Sequence, residues 1–374
     1  MSKVFSAGEV LAGRYKVLEY HAAGGMQEVY IARDLALDRK VALKTPKAGV
    51  VDRRFRRGAE MGARVVHPNV AATFDYYEDD RVTFLVEELV AGRDLAKLLD
   101  VEFYYLDPIL AARVLHHVAK ALNEAHRVGI CHRDLKPSNI MTSGDPGVTM
   151  VKLTDFGIAK LAESEIEAEM NLFDEDQSTL TSSNTLLGAV PYMAPECWVN
   201  WKNAGQPMDV WAFGCIAYQL LVGAPPFGAG RAAIFNVGRL SHTGVNLEKP
   251  AWFGTHKVTE VLEDDLWDMI KRCLCIDPVG RPTMSQIVEE FNDLCYASTD
   301  RCLGTVGSFK IGYVGGGTGN CGFITESIGL STFFHGTVFY GGQPMEGQRV
   351  SFSKYPGVPY PRCSPVLLLK PKPN

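Results

Sequence analysis

No Cys-x-x-Cys pair occurs in this 374-residue sequence, although it holds nine cysteines. Zinc and redox-motif readings therefore lack support, and an odd, scattered set reads as reduced thiols in a cytoplasmic protein. Long apolar runs are missing too. The most apolar stretch, Val210 to Phe227, is interrupted by Gln219, Gly223, Pro225 and Pro226. It reads as a buried core helix with a Pro-Pro stop rather than a membrane span. The opening residues, MSKVFSAGEVLAGRY, have no apolar block of signal-peptide length. No internal repeat is visible. The net charge of −5 gives no global excess that would advertise nucleic acid or an anionic membrane.

What is present changes character along the chain. Residues 301–374 hold seven Lys or Arg and two acids, a net +5, which leaves −10 to the first 300 residues. Helical patterns such as AARVLHHVAKALNEAHRVG and LEDDLWDMIKRCL dominate before that point. Short β-rich runs split by glycine follow it, and a boundary is placed near 298–302. Within the first block, residues 15–90 read as strands around one helix. From about residue 93 the pattern is mostly helical. A small β-rich lobe before a larger helical lobe leaves a cleft between them.

The strongest chemistry lies in CHRDLKPSNI, with the aspartate of LTDFGIA sixteen residues after Asn139. Phosphoryl transfer needs a carboxylate to orient a hydroxyl, a divalent metal to neutralise phosphates, and cations to hold the chain in line. Asp134 suits the first task. Asn139 and Asp155 are oxygen donors suited to Mg²⁺. Lys136 can reach the travelling phosphate.

At this point the sequence resembles the eukaryotic-type protein kinases. HRDLKPSN (132–139), DFG (155–157) and APE (194–196) stand in the family's order, followed by DVWAFG (209–214), GAPPF (223–227) and DPVGRP (277–282). The resemblance covers about residues 12–297. Lys136 within HRDLK is similar to the serine/threonine branch, and the GGM-EVY-A-D and VALK pieces are similar to bacterial members. It implies an α+β, two-lobed kinase fold: a β-rich N-lobe (12–90) and a helical C-lobe (91–297), with ATP in the cleft. It also implies a protein substrate, with ATP and Mg²⁺ as cofactors; no membrane is expected, on the charge and the interrupted apolar run above.

The same resemblance assigns residues. Lys44 of VALK matches the strand lysine that holds the α/β-phosphates. Ala22, Ala23, Gly24 and Gly25 fall in the phosphate loop. Glu88 to Val90 match the linker whose backbone pairs with adenine, and Val29, Ala42 and Met141 would sandwich the ring. Asp134, Lys136, Asn139 and Asp155 complete the catalytic set, the last two as metal ligands. Asp209 resembles the carboxylate that braces the catalytic loop. Glu196 and Arg281 resemble a buried structural ion pair. Arg133 beside Asp134 suggests control by phosphorylation of the activation segment.

Several positions depart from the family pattern. The three usual loop glycines fall at Ala22, Gly24 and Gln27, so only the middle one is kept, with Gly25 beside it. The substitution at Gln27 is expected to be the mildest. The position of the helix glutamate that pairs with the strand lysine is Gly58. The nearest acid, Glu60, lies about 200° around a helix from it, and whether Glu60 replaces it is open. Gly58 and Gly62 each weaken that helix by about 1 kcal/mol relative to Ala. RRFRR (53–57) reads as a solvated basic face. Ala189 stands where a threonine usually bonds the catalytic aspartate. Glu87 occupies the gatekeeper position and needs a partner or a proton there. Between Asp155 and Ala194 lies an acidic run, ESEIEAEMNLFDEDQ (163–177), then STLTSSNT (178–185). This is either a solvated insertion or a regulatory segment with phosphorylation among Ser178, Thr179, Thr181, Ser182, Ser183 and Thr185.

Residues 303–372 resemble a cold-shock domain, a five-stranded OB-type barrel. GTVGSF (304–309), CGFI (321–324), TFFH (332–335) and EGQRVSF (346–352) match its strands. Phe309, Phe323, Phe333 and His335 stand at positions that stack single-stranded RNA or DNA, over a basic floor. Ser308, Cys321 and Gly336 replace aromatics usual there. A docking or oligomerising module is the other reading. The leading expectation is thus an ATP- and Mg²⁺-dependent serine/threonine protein kinase that phosphorylates its own activation segment. The alternatives are a pseudokinase scaffold and a protein whose main ligand is nucleic acid.

Overall fold

The computed structural model describes residues 3–372 except 24–26, 48–52, 157–187, 201–203, 244, 297–299, 312–318, 327–328 and 330. The first lobe is a six-stranded sheet of order β1-β2-β3-β4-β6-β5, antiparallel throughout. Its strands are β1 (Val10–Leu11), β2 (Tyr15–Ala23), β3 (Gln27–Asp34), β4 (Arg39–Pro46), β5 (Thr73–Glu78) and β6 (Thr83–Glu88). Alternation sorts the side chains onto two faces. Tyr30 and Ala32, Val41 and Leu43, and Phe84 and Val86 form one core with Phe5 and Leu11. Helix α1 (Arg53–Gly62) follows β4 and covers the other face, where Phe55 and Ala59 meet Leu85 and Tyr76.

The second lobe is helical, as the periodicity predicts. It contains β7 (Arg93–Asp94), α2 (Leu95–Val101), α3 (Pro108–Arg127), β8 (Ile140–Thr142) and β9 (Val151–Leu153). Then come α4 (Pro195–Asn200), α5 (Gln206–Val222), α6 (Arg231–Thr243), α7 (Glu260–Cys273) and α8 (Met284–Asp293). Asp107 caps α3 by accepting from the Leu110 N–H, with Pro108 at the first helical position. Helix α5 is buried on nearly every side, which its apolar sequence anticipates. It ends at Val222, three residues before the first proline of the Pro225–Pro226 pair. Gly223 takes φ 92°, and a Cβ there would lie 2.5 Å from the Tyr104 carbonyl oxygen. No helix among the described residues is long and apolar enough to cross a membrane.

The third unit is a closed five-stranded barrel. Its strands are β10 (Arg301–Lys310), β11 (Cys321–Glu326), β12 (Ser331–His335), β14 (Arg349–Tyr355) and β15 (Arg362–Leu368), with the short β13 (Phe339–Tyr340) beside β15. The order is β12-β11-β10-β14-β15, and a parallel β12–β15 pairing closes it. Val306, Ile324, Phe334, Val350, Phe352 and Val366 fill its interior.

The barrel sits directly on the helical lobe. Arg301 at the start of β10 donates two hydrogen bonds from Nη2 to Asp107, at 2.8 and 2.7 Å, with both side chains buried. Arg349 pairs with Glu102 at 2.7 Å. Tyr340 stacks on His256, ring centroids 3.7 Å apart, and its hydroxyl reaches Thr259 and Glu263.

Candidate functional site

The cleft between the two lobes is built from above by alternation on three paired strands. Gln27, Val29, Ala42, Lys44, Leu85 and Glu87 share one face, because Val29 opposes Lys44 and Ala42 opposes Glu87. Ala22 and Ala23 end β2 beside this face, paired with Val29 and Glu28. Gly24 and Gly25 lie outside the described residues. Glu88 uses its backbone N–H on the Ala72 carbonyl at 2.8 Å and its side chain on Lys152 at 2.9 Å. Val90, two residues on, is half-buried. From below, Met141 on β8 alternates with the buried Ile140 and Thr142 and so turns to the opposite side of its strand.

The lower wall is the turn His132–Asn139. Asp209, at the start of α5, accepts the backbone N–H groups of His132 and Arg133 at 2.8 and 2.9 Å, and its Oδ2 lies 2.9 Å from His126 Nε2. Complete burial by itself would raise the Asp209 pKa. The bonds to His126 and Arg133 outweigh it and hold the carboxyl below its ordinary value. This brace fixes Arg133 at φ 66°, a left-handed conformation costly for a side-chain-bearing residue. Burial lowers the His132 pKa, which favours a neutral ring, and its Nε2 lies 3.0 Å from the Thr154 carbonyl. Asp134 accepts from Lys136 Nζ at 2.9 Å. Asn139 donates from Nδ2 both to the Asp134 carbonyl at 2.7 Å and to Asp134 Oδ2 at 3.0 Å.

The two walls meet at Asp155. Thr154 donates its N–H to the Asn139 carbonyl at 3.0 Å, which ties Asp155 to the lower turn. Asp155, at φ 62°, receives Lys44 Nζ at 2.8 Å and Gln27 Nε2 at 3.2 Å. Lys44 also lies 2.5 Å from Glu87 Oε2. Burial alone would lower the Lys44 pKa. The two carboxylates prevail and raise it above its ordinary value, so the ammonium stays charged.

One open question is answered here and one expectation is corrected. Glu60 does not replace the missing helix carboxylate. It points to solvent and pairs with Arg56 at 3.2 Å, while Gly58 takes the buried position. The 200° offset leaves it on the wrong side of α1. Gln27 is not a mild loop substitution: it is 5% exposed and reaches Asp155 across the cleft. Period two already placed it on the Val29 face, a signal available in the sequence. The partner that Glu87 required is Lys44, which needed the β4–β6 register to be seen. Glu196 and Arg281 are bound in bidentate fashion at 2.6 and 2.8 Å, with the arginine side chain fully buried. Ser178 to Thr185 lie outside the described residues.

The donor set fits a nucleotide–metal group. Asn139 directs its amide hydrogens at Asp134, which turns its oxygen elsewhere. The buried Gln27 Oε1 has no hydrogen-bond partner among the described residues. With Asp155, these are hard oxygen donors, the kind a small divalent cation takes.

On the barrel, Phe323 and Phe333 face each other across β11 and β12 and meet edge to face at 5.7 Å. Tyr360, which the sequence reading missed, joins them at 5.0 Å from Phe323. His335 bonds Thr337 Oγ1 at 2.8 Å. Phe309 instead stacks on the core residue Phe334 at 5.6 Å.

A strand-rich lobe, a helical lobe and a buried lysine–aspartate pair over an HRD turn define a two-lobed phosphotransferase class of architecture. The chain belongs to the protein kinase family: the protein kinase domain profile matches residues 15–291. It is 37% identical over 227 residues to a probable serine/threonine-protein kinase of Corynebacterium efficiens, covering 58% of this chain and 32% of that protein. It is 33% identical over 232 residues to the serine/threonine-protein kinase PrkC of Bacillus subtilis, covering 61% and 33%. A probable serine/threonine-protein kinase of Clostridium acetobutylicum is 34% identical over 301 residues, 77% of this chain and 41% of that one. The matched part thus spans about a third to two fifths of the length of these relatives.

Proposed function

We propose that the chain is a serine/threonine protein kinase that transfers the γ-phosphoryl group of ATP to a protein hydroxyl. The observation that carries this is the Lys44–Asp155 contact at 2.8 Å above an Asp134–Asn139 contact at 3.0 Å. The first contact joins a strand of the upper lobe to Asp155, and the second lies within the turn 132–139 below it. Lys44 holds the α/β-phosphates through a charge kept by its two carboxylates. Asp134 orients the acceptor hydroxyl and takes its proton, and Lys136 steadies the transferring group from the side. Asn139, Asp155 and the Gln27 oxygen would hold Mg²⁺, which supplies charge neutralisation of the phosphates when bound. Val29, Ala42 and Met141 would enclose the adenine, with the Glu88–Val90 backbone along its edge. The relatives' serine/threonine names and Lys136 support the acceptor class. A scaffold without turnover draws on Gly58, Ala22, Gln27 and Ala189, and the Lys44–Glu87 ion pair weighs against the first of these.

Wild type, Asp134→Asn and Lys44→Met incubated with ATP and Mg²⁺, followed by mass spectrometry of residues 160–190, test the assignment. Phosphate is expected in wild type and in neither variant. Labelling that persists in purified Asp134→Asn contradicts it.

For the barrel we propose an OB-type, cold-shock-like module that binds single-stranded RNA or DNA. The Phe323–Phe333–Tyr360 cluster favours this, since aromatic faces stack unpaired bases. Retention of a single-stranded oligonucleotide, weakened by salt and by Phe323→Ala, is expected; no binding at low salt refutes it. The nine unpaired cysteines support a cytoplasmic setting.

A further inference from the structure

Where a kinase lysine is paired with a glutamate on the neighbouring helix, moving that helix makes or breaks the pair and so controls the enzyme. Here α1 offers no such carboxylate. Its buried face presents Phe55, Gly58 and Ala59, of which Phe55 and Ala59 pack on Leu85 and Tyr76, while its exposed Arg56 lies 3.9 Å from Glu78 on β5. Glu60 is 64% exposed and engaged with Arg56.

The carboxylate comes from inside the sheet. Strands β4 and β6 pair without a bulge over Val41↔Glu88, Ala42↔Glu87, Leu43↔Val86 and Lys44↔Leu85. Lys44 and Glu87 are therefore diagonal neighbours on one face, within reach of each other because the opposing residue, Ala42, is small. The backbone ladder that fixes the sheet also fixes this distance. Both side chains are more than nine-tenths buried, so the attraction is little screened and neither partner has water as an alternative. An unpaired carboxylate there would be costly to keep.

We propose that Glu87 is the positioning residue for Lys44, and that the lysine is held for phosphate binding by the sheet together with Asp155, independently of where α1 sits. Lys44 is then aligned before any signal reaches α1, and control must act elsewhere in the chain. This inference rests on the kinase reading above, and the experiment separates the two.

Steady-state kinetics for MgATP and for a protein substrate are measured on wild type, Glu87→Met, Glu87→Gln, Glu60→Gln and Lys44→Met, together with thermal midpoints. Glu87→Gln keeps the shape of the cleft wall and removes only the charge, so it covers the case in which Glu87→Met does not fold. The expected result is a fall of about tenfold or more in kcat/KM for MgATP with either Glu87 variant. The KM for the protein substrate stays within twofold, which a general loss of structure would not spare. Glu60→Gln stays within twofold of wild type throughout. The inference is overturned if Glu87→Gln, at an unchanged thermal midpoint, keeps wild-type MgATP kinetics while Lys44→Met is inactive. It is equally overturned if Glu60→Gln loses as much as Glu87→Gln. An active Lys44→Met removes the kinase assignment itself, and with it this role for Glu87.

Discussion

The lower and upper walls of the cleft solve the same problem in different ways. Below, eight consecutive residues, 132–139, hold the candidate groups Asp134, Lys136 and Asn139, and one buried carboxylate, Asp209, pins the turn by its backbone. Above, the groups come from three strands: Gln27 on β3, Lys44 on β4 and Glu87 on β6, joined by register rather than by adjacency. The lower wall keeps the family's residues. The upper wall has lost two loop glycines and the helix glutamate, and it restores the buried ion pair with a different carboxylate. The difference teaches that what persists here is the need of a buried lysine for a carboxylate partner. The residue that meets it can change when the sheet offers another route.

The comparison breaks most severely at Asp209. Asp209→Ala leaves two buried N–H groups without an acceptor and frees a strained turn. A loss of about 3 kcal/mol is expected in denaturant unfolding, with kcat down about 100-fold or more. An active, stable Asp209→Ala would mean that the lower wall does not depend on its brace.

Arg281→Met strands Glu196 and should cost about 3 kcal/mol in stability. It lies away from the cleft, so the KM for MgATP should stay at the wild-type value. A changed KM with unchanged stability would place this pair in the site rather than in the scaffold.

Arg301→Met and Asp107→Asn remove the buried pair that seats the barrel on α3. Each is expected to cost about 2–3 kcal/mol, with the double variant no worse than the worse single one. Simple additivity in that cycle would show that the two residues do not interact.

The smallest effect concerns pH at the outer edge of the upper lobe. Hydrogen bonds from Arg14, at 2.8 Å each, bring Asp34 down to about 2 despite its burial. Its unfolded value is about 3.9. The depressed folded pKa means that this stabilisation is fully present above about pH 4 and is lost as pH falls towards 2. Thermal midpoints between pH 5 and pH 2 should fall less steeply in Asp34→Asn than in wild type. Parallel curves would deny Asp34 that role.

Legibility followed the same division. The lower wall could be read directly, because HRDLKPSN and DFG carry their chemistry in consecutive residues. A β-rich lobe before a helical lobe was legible from alternation and helical period, the kinase fold and the barrel from their family resemblances, and the Val210–Phe227 core helix from its composition. The partner of Glu87 was not legible, since it depends on which residue of β6 opposes Ala42, and no local pattern fixes register between strands forty residues apart. Gln27 was readable in principle from its spacing to Val29, but a glycine-position argument hid it. Phe309 is half-buried and stacks on the core residue Phe334, a contact its position in the sequence did not announce. Ring facing in a small barrel is decided by a bulge, here between Val306 and Ser308.

A crystal structure of the chain with a non-hydrolysable ATP analogue and Mg²⁺ tests the central claim most directly. The account predicts Lys44 Nζ within hydrogen-bond reach of an α- or β-phosphate oxygen while still paired to Glu87, and a metal shared by Asp155 and Asn139. Lys44 turned to Glu60 on a shifted α1, with Glu87 facing away, would contradict it.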